Sequence, residues 1–264
     1  MKALVLVKEV AKLSDQFEIS ENAIDERYRE YDLNEWDDFA VEEAVQAEEE
    51  DIVEEVVVAT IGPERSEETI RKALAKGADR AIRIWDDSLE EVDFLDIGAK
   101  TAMFSAIVET EQPDLVFAGV QADDDMFGAT GVALAEDVDY AWAAVVNELE
   151  IDEDAGLARV HRELEGGMIE RTEVDIPAVV TVQTGINQPR YASLRGIRMA
   201  QQKEIEHRSL SDIGLDPSIL ESPIRLTDMR EPQAEGETEL FEGSANETGS
   251  QLAALLRDKG VGNA

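Results

Sequence analysis

The chain has no cysteine among its 264 residues and only two histidines. The missing cysteines exclude disulfide bonds, thiol catalysis and metal clusters held by cysteine. His161 and His207 stand far apart in the sequence, and two isolated histidines do not make a zinc site. We therefore expect neither a zinc site nor a cysteine nucleophile.

Basic residues are also few, since 24 Lys and Arg stand against 61 Asp and Glu and give a formal net charge of −37. Binding of a phosphate backbone needs a basic face, so nucleic acid is not an expected partner.

Long hydrophobic runs are missing as well. The apolar start at residues 3–7 meets Lys8 at once. It is too short for a signal peptide or a membrane span, so we expect a cytoplasmic chain without membrane insertion.

Hydrophobic residues nevertheless make up 43% of the chain, which is enough to bury a full core. The acidic residues are therefore expected on the surface, and this composition is typical of a halophilic protein. The length predicts one large domain, or one domain with a tail.

Short apolar runs alternate with helical patterns through the first half of the chain. Strands are predicted at residues 3–7, 55–61, 81–85 and 115–119, and helices at residues 38–50, 66–76, 97–111 and 128–135. Nearly continuous apolar strands are typical of parallel sheets that are covered on both faces. The pattern predicts a doubly wound, mostly parallel α/β fold.

The second half of the chain has a different pattern. Strands are predicted at residues 142–149, 158–162, 168–174 and 178–182, and Gly166-Gly167 predicts an antiparallel hairpin, hence a small added antiparallel β layer. Periodicity weakens beyond residue 205, so we expect an α/β domain at residues 1–205, a separate segment at 206–235 and an acidic tail at 236–264. Within the tail, disorder is expected at 236–250 and a short helix at 251–259.

One candidate binding site follows the predicted strand at residues 115–119. An acidic loop, residues 120–127, leads from that strand into residues 128–131, Gly-Ala-Thr-Gly, and a helix. Ligands of open α/β sheets bind outside the carboxyl ends of strands, near such helix N-termini. The backbone N–H groups of residues 128–131 suit a phosphate, which the three carboxylates of residues 123–125 would repel. Three roles remain open for these carboxylates: accepting hydrogen bonds from a ribose or adenine, capping the helix, or holding a cation.

A second candidate site is the loop after the predicted strand at residues 178–182. Pro189 fixes its own φ and restricts the residue before it, so residues 187–189 predict a stiff lead-in. Arg190, Tyr191 and Leu194 then supply side chains of the types that anchor protein interfaces. The segment also carries a group of cations that favours an acidic partner surface: Arg190, Arg195 and Arg198.

Three separated motifs occur in an order that is typical of one known family. Residues 121–131 read Q-A-D-D-D-M-F-G-A-T-G, close to the family's Q-A-I-D-D-D-x-x-Q-T-G. Residues 162–167 read R-E-L-E-G-G, close to R-E-I-D-G-G, and residues 190–194 read R-Y-A-S-L. On these motifs the chain resembles the β subunit of electron transfer flavoproteins over about residues 1–216.

The resemblance implies a nucleotide bound in this subunit and an FAD at the interface, held mainly by the α subunit. The nucleotide is AMP or, in a second version of the family, another FAD. The residues that the resemblance places at the nucleotide are Leu6, Asn34, Glu35, Trp36, Asp37, Ile61, Gly119, Val120, Gln121, Ala122, Asp123, Asp124, Asp125, Met126, Phe127, Gly128, Ala129 and Thr130.

The resemblance also implies two contact regions for partner proteins. Arg190, Tyr191, Leu194 and Arg195 correspond to a docking loop that meets acyl-CoA dehydrogenases through one projecting leucine, here Leu194. Glu163 is placed at the boundary with the α subunit, facing an arginine near the flavin. Residues 206–235 are expected to form an extended C-terminal arm that contacts the α subunit.

The function implied by the resemblance is electron transfer and not catalysis. The chain is expected to serve a heterodimer that takes electrons from dehydrogenases of fatty-acid or amino-acid oxidation and passes them towards a membrane quinone oxidoreductase. The redox chemistry then belongs to the FAD, and no catalytic residue is expected in this chain. Two alternatives remain open: an electron-bifurcating version with a second FAD in this subunit, and a stand-alone adenine-nucleotide-binding regulator or ATP-using enzyme.

Overall fold

The computed structural model of the chain describes residues 1–90, 92, 94–231 and 239–261. The chain divides into a large unit, Met1–Met229, and a small C-terminal unit, Arg230–Ala264. The strands of the large unit are β1 (Lys2–Leu6), β2 (Glu9–Leu13), β3 (Ile19–Ser20), β4 (Ala23–Ile24), β5 (Arg29–Leu33), β6 (Glu55–Ile61), β7 (Arg80–Ile84), β8 (Leu115–Gly119), β9 (Ala141–Asp152), β10 (Leu157–Leu164), β11 (Met168–Asp175), β12 (Ala178–Val182) and β13 (Ile205–Arg208). Its helices are α1 (Glu35–Glu49), α2 (Glu67–Lys76), α3 (Asp87–Glu90), α4 (Ile97–Glu111), α5 (Thr130–Asp137) and α6 (Leu194–Ala200).

The main sheet of the large unit has nine strands among the described residues, in the order β11-β10-β9-β12-β8-β1-β6-β7-β13. Neighbouring strands are parallel from β9 through β12, β8, β1, β6 and β7 to β13. The pairs β9–β10 and β10–β11 are antiparallel. From the central β1, the chain builds outward first through β6 and β7 and later through β8 and β12. The order therefore reverses between β1 and β8, and the predicted doubly wound α/β fold is confirmed.

Both faces of the sheet are buried, as the near-continuous apolar strands predict. Along β1, Ala3 and Val5 pack on the face covered by α1 and α2, whereas Leu4 and Leu6 pack on the face covered by α4 and α5. This alternation follows from the two-residue period of a strand, and it explains why β1 needs an apolar side chain at nearly every position.

The predicted hairpin lies at one edge of the same sheet. Residues of β10 and β11 pair antiparallel up to Leu164 and Met168, and the turn between them uses positive φ angles of 75° at Gly166 and 73° at Gly167. Glycine reaches this backbone region without steric cost. The antiparallel part of the fold thus extends the parallel sheet sideways through β9, which pairs with both kinds of strand.

The large unit continues beyond residue 205, where the sequence pattern predicts its end. Strand β13 pairs in parallel with β7, and Leu210 after it is fully buried. The boundary expected at residue 206 therefore falls inside a strand of the sheet. The strand is only four residues long, which is too short for a clear periodic pattern.

The C-terminal unit contains one helix in its described part, α7 (Ala245–Asp258). The expected disorder at residues 236–250 is therefore wrong for residues 245–250, and residues 232–238 lie outside the described part of the chain. The helix begins with a capping box, in which Glu247 accepts a hydrogen bond of 2.9 Å from the backbone N–H of Ser244. This Ser-x-x-Glu spacing is a readable helix start in the sequence.

The helices in the described part of the chain are all too short or too polar to cross a lipid bilayer.

Candidate functional site

The large unit has a pocket of about 490 Å³ at the carboxyl ends of β1, β6 and β8. It lies beside the point where the strand order reverses between β1 and β8, which is where open α/β sheets bind ligands. Of the residues predicted at the nucleotide, those that line the pocket are Leu6, Asn34, Asp37, Ile61, Gly119, Val120, Gln121, Ala122, Asp124, Asp125, Gly128, Ala129 and Thr130. Motifs that are far apart in the sequence thus meet in one cavity.

Five other predicted residues are not among the lining. They are Glu35, Trp36, Asp123, Met126 and Phe127. Trp36 is half-buried outside the pocket, and its Nε1 donates a hydrogen bond of 3.0 Å to Gln183 Oε1. Met126 and Phe127 stand at the outer side of the loop, with 64% and 48% of their surface exposed.

The glycine-rich entry to α5 keeps the backbone close to the pocket. Gly128 has a φ of +60°, and a Cβ atom there would lie 3.2 Å from the carbonyl oxygen of Val120. A Cβ atom on Gly131 would lie 2.6 Å from Thr181 Cγ2. Helix α5 begins at Thr130, later than the predicted start at residue 128, and its N-cap Ala129 makes no side-chain cap. The first N–H groups of α5 therefore suit an anionic group of a ligand, and helix capping is not the role of the acidic loop.

Asn34 and Asp37 join the two strand ends that border the pocket. Asp37 Oδ2 accepts a hydrogen bond of 2.7 Å from the Lys8 N–H, and its Oδ1 accepts one of 2.9 Å from the Gly119 N–H. Asn34 Nδ2 donates to the carbonyl oxygen of Gln121 at 2.8 Å, and Asn34 N donates to that of Lys8 at 3.0 Å. Both side chains thus hold the backbone on which the pocket is built.

Burial raises the pKa of Asp37 to about 7, although the hydrogen bonds from the Lys8 backbone, the Asn34 side chain and the Gly119 backbone act to lower it. Asp37 is 5% exposed. Its environment is therefore dry, as is expected for a group that closes the floor of a ligand pocket.

Two lysines of the pocket were missed by the sequence-based prediction. Lys8 Nζ lies 2.5 Å from Asp124 Oδ1 and 2.9 Å from Asp125 Oδ2, and Lys100 Nζ lies 2.9 Å from Asp125 Oδ2. Burial acts to raise the pKa of Asp125, but the hydrogen bonds from Lys100 and Lys8 outweigh it and lower the pKa to about 2. Asp124 and Asp125 thus pair with ammonium groups of this chain, which agrees with one of the roles left open for the acidic loop, that of holding a cation.

The other side of the pocket is apolar and aromatic, and the sequence pattern did not indicate it. Its lining includes Trp85, Phe94, Leu95 and Phe104. Trp85 Nε1 is buried and has no hydrogen-bond partner within the described residues, so one donor is left for a ligand. A pocket with a helix N-terminus on one side and aromatic side chains on the other fits a nucleotide, with its phosphate at the helix and its base among the rings.

The second predicted site is an exposed loop that leads into α6. Tyr191 is 99% exposed and Leu194 is 79% exposed, and Leu194 is the first residue of the helix. Ser193 caps the helix, with its Oγ accepting a hydrogen bond of 3.0 Å from the Gly196 N–H. Two large apolar side chains are therefore held outward on an ordered backbone.

Arg190 is not part of a free cationic group, in contrast to the prediction. Its guanidinium pairs with Glu42 at 2.9 Å and with Glu49 at 2.6 Å, and both carboxylates are on α1. Asn187 Nδ2 also donates to the Phe39 carbonyl oxygen of α1 at 3.0 Å. Arg190 thus fixes the start of the loop to the fold, and the exposed arginines of this segment are Arg195 and Arg198.

Glu163 lies near the tip of the β10–β11 hairpin and is exposed. It pairs in register with Ile169, which is 59% exposed. Leu164 and Met168 beside it are 38% and 63% exposed. The hairpin tip therefore brings acidic side chains, those of Glu163 and Glu165, next to exposed apolar ones.

The family of the chain follows from its similarity to known proteins. The electron transfer flavoprotein domain family matches residues 22–213. The electron transfer flavoprotein subunit beta of Methylophilus methylotrophus is 44% identical over 264 residues, which are 98% of this chain and 98% of that protein. The chain belongs to the electron transfer flavoprotein β-subunit family. The β subunits of Mus musculus and Bacillus subtilis are 32% and 30% identical, each with 98% of both chains covered.

Membership of the electron transfer flavoprotein β-subunit family confirms the resemblance seen in the sequence. It implies an electron transfer flavoprotein α subunit as the partner of this chain, and it supports a role in electron transfer. The pocket and the exposed loop are the two features of the fold on which a more detailed function can be based.

Proposed function

We propose that the chain is the β subunit of a heterodimer that accepts electrons from dehydrogenases of the acyl-CoA dehydrogenase type and passes them towards a membrane quinone oxidoreductase. The observation that carries this proposal is the similarity to β subunits over 98% of both chains. We further propose that the heterodimer works in the cytoplasm.

In this proposal the pocket of the large unit holds AMP. The N–H groups at the start of α5 bind its phosphate, and the side chains of Trp85 and Phe104 lie along its base. Asp37 is buried at the base of the pocket, and Trp85 Nε1 has no hydrogen-bond partner within the described residues. Both features support a bound polar ligand such as AMP. In the electron-bifurcating alternative, a second FAD takes the place of AMP in the same pocket.

The redox cofactor in this proposal is an FAD held mainly by the α subunit, and when bound it supplies the one- and two-electron chemistry. The residues of this chain then have structural tasks. The hairpin tip would place Glu163 at the boundary with the α subunit, facing an arginine near the flavin, and the segment after β13 would contact that subunit.

The exposed loop with Tyr191 and Leu194 is proposed to dock on the electron donor. Large apolar side chains that stand outward from an ordered backbone lose little conformational freedom on binding, and such side chains contribute most of the binding energy at interfaces. Arg195 beside them complements an acidic surface.

Replacing Leu194 with alanine should slow reduction of the heterodimer by an acyl-CoA dehydrogenase by about tenfold or more, because a central anchor is worth about 2 kcal/mol. The measurement is the bimolecular rate of flavin reduction in a stopped-flow instrument. Leu194→Met keeps the apolar reach of the side chain and should retain most of the rate. Reduction by dithionite, which needs no docking, should be the same in both variants, and an unchanged dehydrogenase rate in Leu194→Ala would refute the docking role.

A further inference from the structure

Four charged residues of the pocket lining meet and form what we call the lysine–aspartate cluster: Lys8, Lys100, Asp124 and Asp125. They come from three parts of the fold. Lys8 follows β1, Lys100 is in the first turns of α4, and the aspartates belong to the loop between β8 and α5. The ion pairs therefore connect this loop to the two elements on either side of the pocket.

Lys100 and Asp125 are the more buried members of the cluster, and Lys8 and Asp124 are partly exposed. Their side chains are 33% exposed at Lys8, 27% at Asp124, 17% at Asp125 and 14% at Lys100. Hydrogen bonds between ionised groups are stronger than neutral ones, and partly buried pairs are screened less by salt than exposed pairs. The cluster is therefore a stronger connection than ordinary surface ion pairs.

Two further contacts hold the same loop. The rings of Phe94 and Phe127 meet edge to face with their centroids 5.7 Å apart. At the other end of the loop, Asn34 Oδ1 accepts a hydrogen bond of 3.2 Å from the Asp123 N–H. The loop is thus attached to Asn34 just before α1, to the segment before α4 and to the two lysines, and these contacts must break before the loop can move away from the pocket.

We infer that Asp124 and Asp125 retain the nucleotide by holding Lys8 and Lys100, so that these ion pairs close the loop over the pocket. This inference rests on the proposed function, because it concerns the nucleotide of the same site. The carboxylates are already occupied by the two ammonium groups. The ion pairs therefore slow the opening of the loop, and hence the release of the nucleotide.

Lys100→Met, made in the heterodimer with the α subunit, should release bound radiolabelled AMP about tenfold faster than the wild type. The substitution removes one ion pair of Asp125 and keeps the length of the side chain. Asp125→Asn removes two ion pairs and should release AMP at least as fast. The effects of the two substitutions should not add up in the double variant, because they remove the same contact. The measurement is exchange of labelled AMP into an excess of unlabelled AMP.

A matched control is Lys76→Met. Lys76 pairs with Asp38, and its side chain is 12% exposed against 14% for Lys100, but neither Lys76 nor Asp38 lines the pocket. Lys76→Met therefore removes the same charge from a side chain of similar burial, but away from the pocket. The AMP release rate should remain that of the wild type. Lys100→Arg retains the positive charge and should also keep release slow.

If Lys100→Met and Asp125→Asn release AMP at the wild-type rate, the inference is overturned while the nucleotide site stands. If the wild-type heterodimer binds no AMP at all, the proposed nucleotide site itself fails and the inference fails with it.

Discussion

Arg190→Met should lower the free energy of unfolding of the protein by about 2–3 kcal/mol at neutral pH. Arg190 donates to Glu42 from its backbone N–H at 3.0 Å and from Nε at 2.9 Å, and Glu42 is only 3% exposed. Without the guanidinium, a buried carboxylate loses its charged partner. The figure lies at the low end for such pairs because the Arg190 side chain is itself 30% exposed.

The loss should depend on pH in a defined direction. Burial acts to raise the pKa of Glu42, but the hydrogen bonds from Arg190 outweigh it and hold the pKa below its usual range. The pair therefore stabilises the wild type above the unfolded-state pKa of about 4.3, and this stability disappears as the pH falls through the lower folded-state pKa. In Arg190→Met the buried Glu42 takes up a proton more readily, so the difference between variant and wild type should shrink as the pH falls towards 4.

Urea unfolding at neutral and at acidic pH measures both effects. Arg159→Met serves as the control, because Arg159 also pairs with carboxylates, those of Glu150, Asp152 and Glu173, but on the exposed face of the hairpin sheet. Surface pairs of this kind contribute little, so stability should hardly change. Equal losses in the two variants would show that Arg190 is an ordinary surface residue and that the loop is not fixed through α1.

Gly119→Ala should deplete the heterodimer of the proposed nucleotide and lower the stability of the protein by about 1–3 kcal/mol. Gly119 ends β8 against the start of α1, and a Cβ atom there would lie 2.5 Å from Asp37 Oδ1 and 2.9 Å from the Asp37 backbone nitrogen. Because a backbone atom cannot rotate away, α1 or the end of β8 must shift. That shift would break the hydrogen bond of 2.9 Å from the Gly119 N–H to Asp37 and open the floor of the pocket.

Nucleotide released on denaturation, counted per heterodimer, is the measurement for Gly119→Ala. Gly98→Ala provides the comparison, since its Cβ atom would meet only Asp96 Oδ1 at 3.4 Å, an ordinary contact, within a helix that favours alanine. This variant should keep its nucleotide. A Gly119→Ala heterodimer with a full complement of nucleotide would mean that the ligand does not depend on the junction of β8 and α1.

Much of the fold can be predicted from the sequence because it depends on local periodicity. The apolar residues of β1 identify a strand that is covered on both faces, and Gly166-Gly167 identifies the hairpin. The short strand β13 cannot be predicted from local periodicity, because only its pairing with β7 makes it a strand. Helix α7 was placed six residues too late, although Ser244 and Glu247 give a readable start.

The site was only partly predictable because its charges are paired over long distances. Asp125 meets lysines that are 25 and 117 residues away, and the partners of Arg190 are 148 and 141 residues away. Local spacing therefore gives the position of the acidic loop but not the cations that it holds. In the same way it shows three arginines near residue 194 without revealing that one of them is already neutralised by α1.

The most direct test of the account is the cofactor content of the heterodimer formed when this chain is co-expressed with its α subunit. We propose a nucleotide in the pocket of this chain and all redox chemistry on a flavin held by the partner. Extraction followed by chromatography should therefore yield FAD and AMP in equal amounts. A heterodimer without flavin, or a lone chain that hydrolyses ATP, would contradict the account. Two FAD molecules per heterodimer and no AMP would instead support the bifurcating alternative, with FAD in place of AMP.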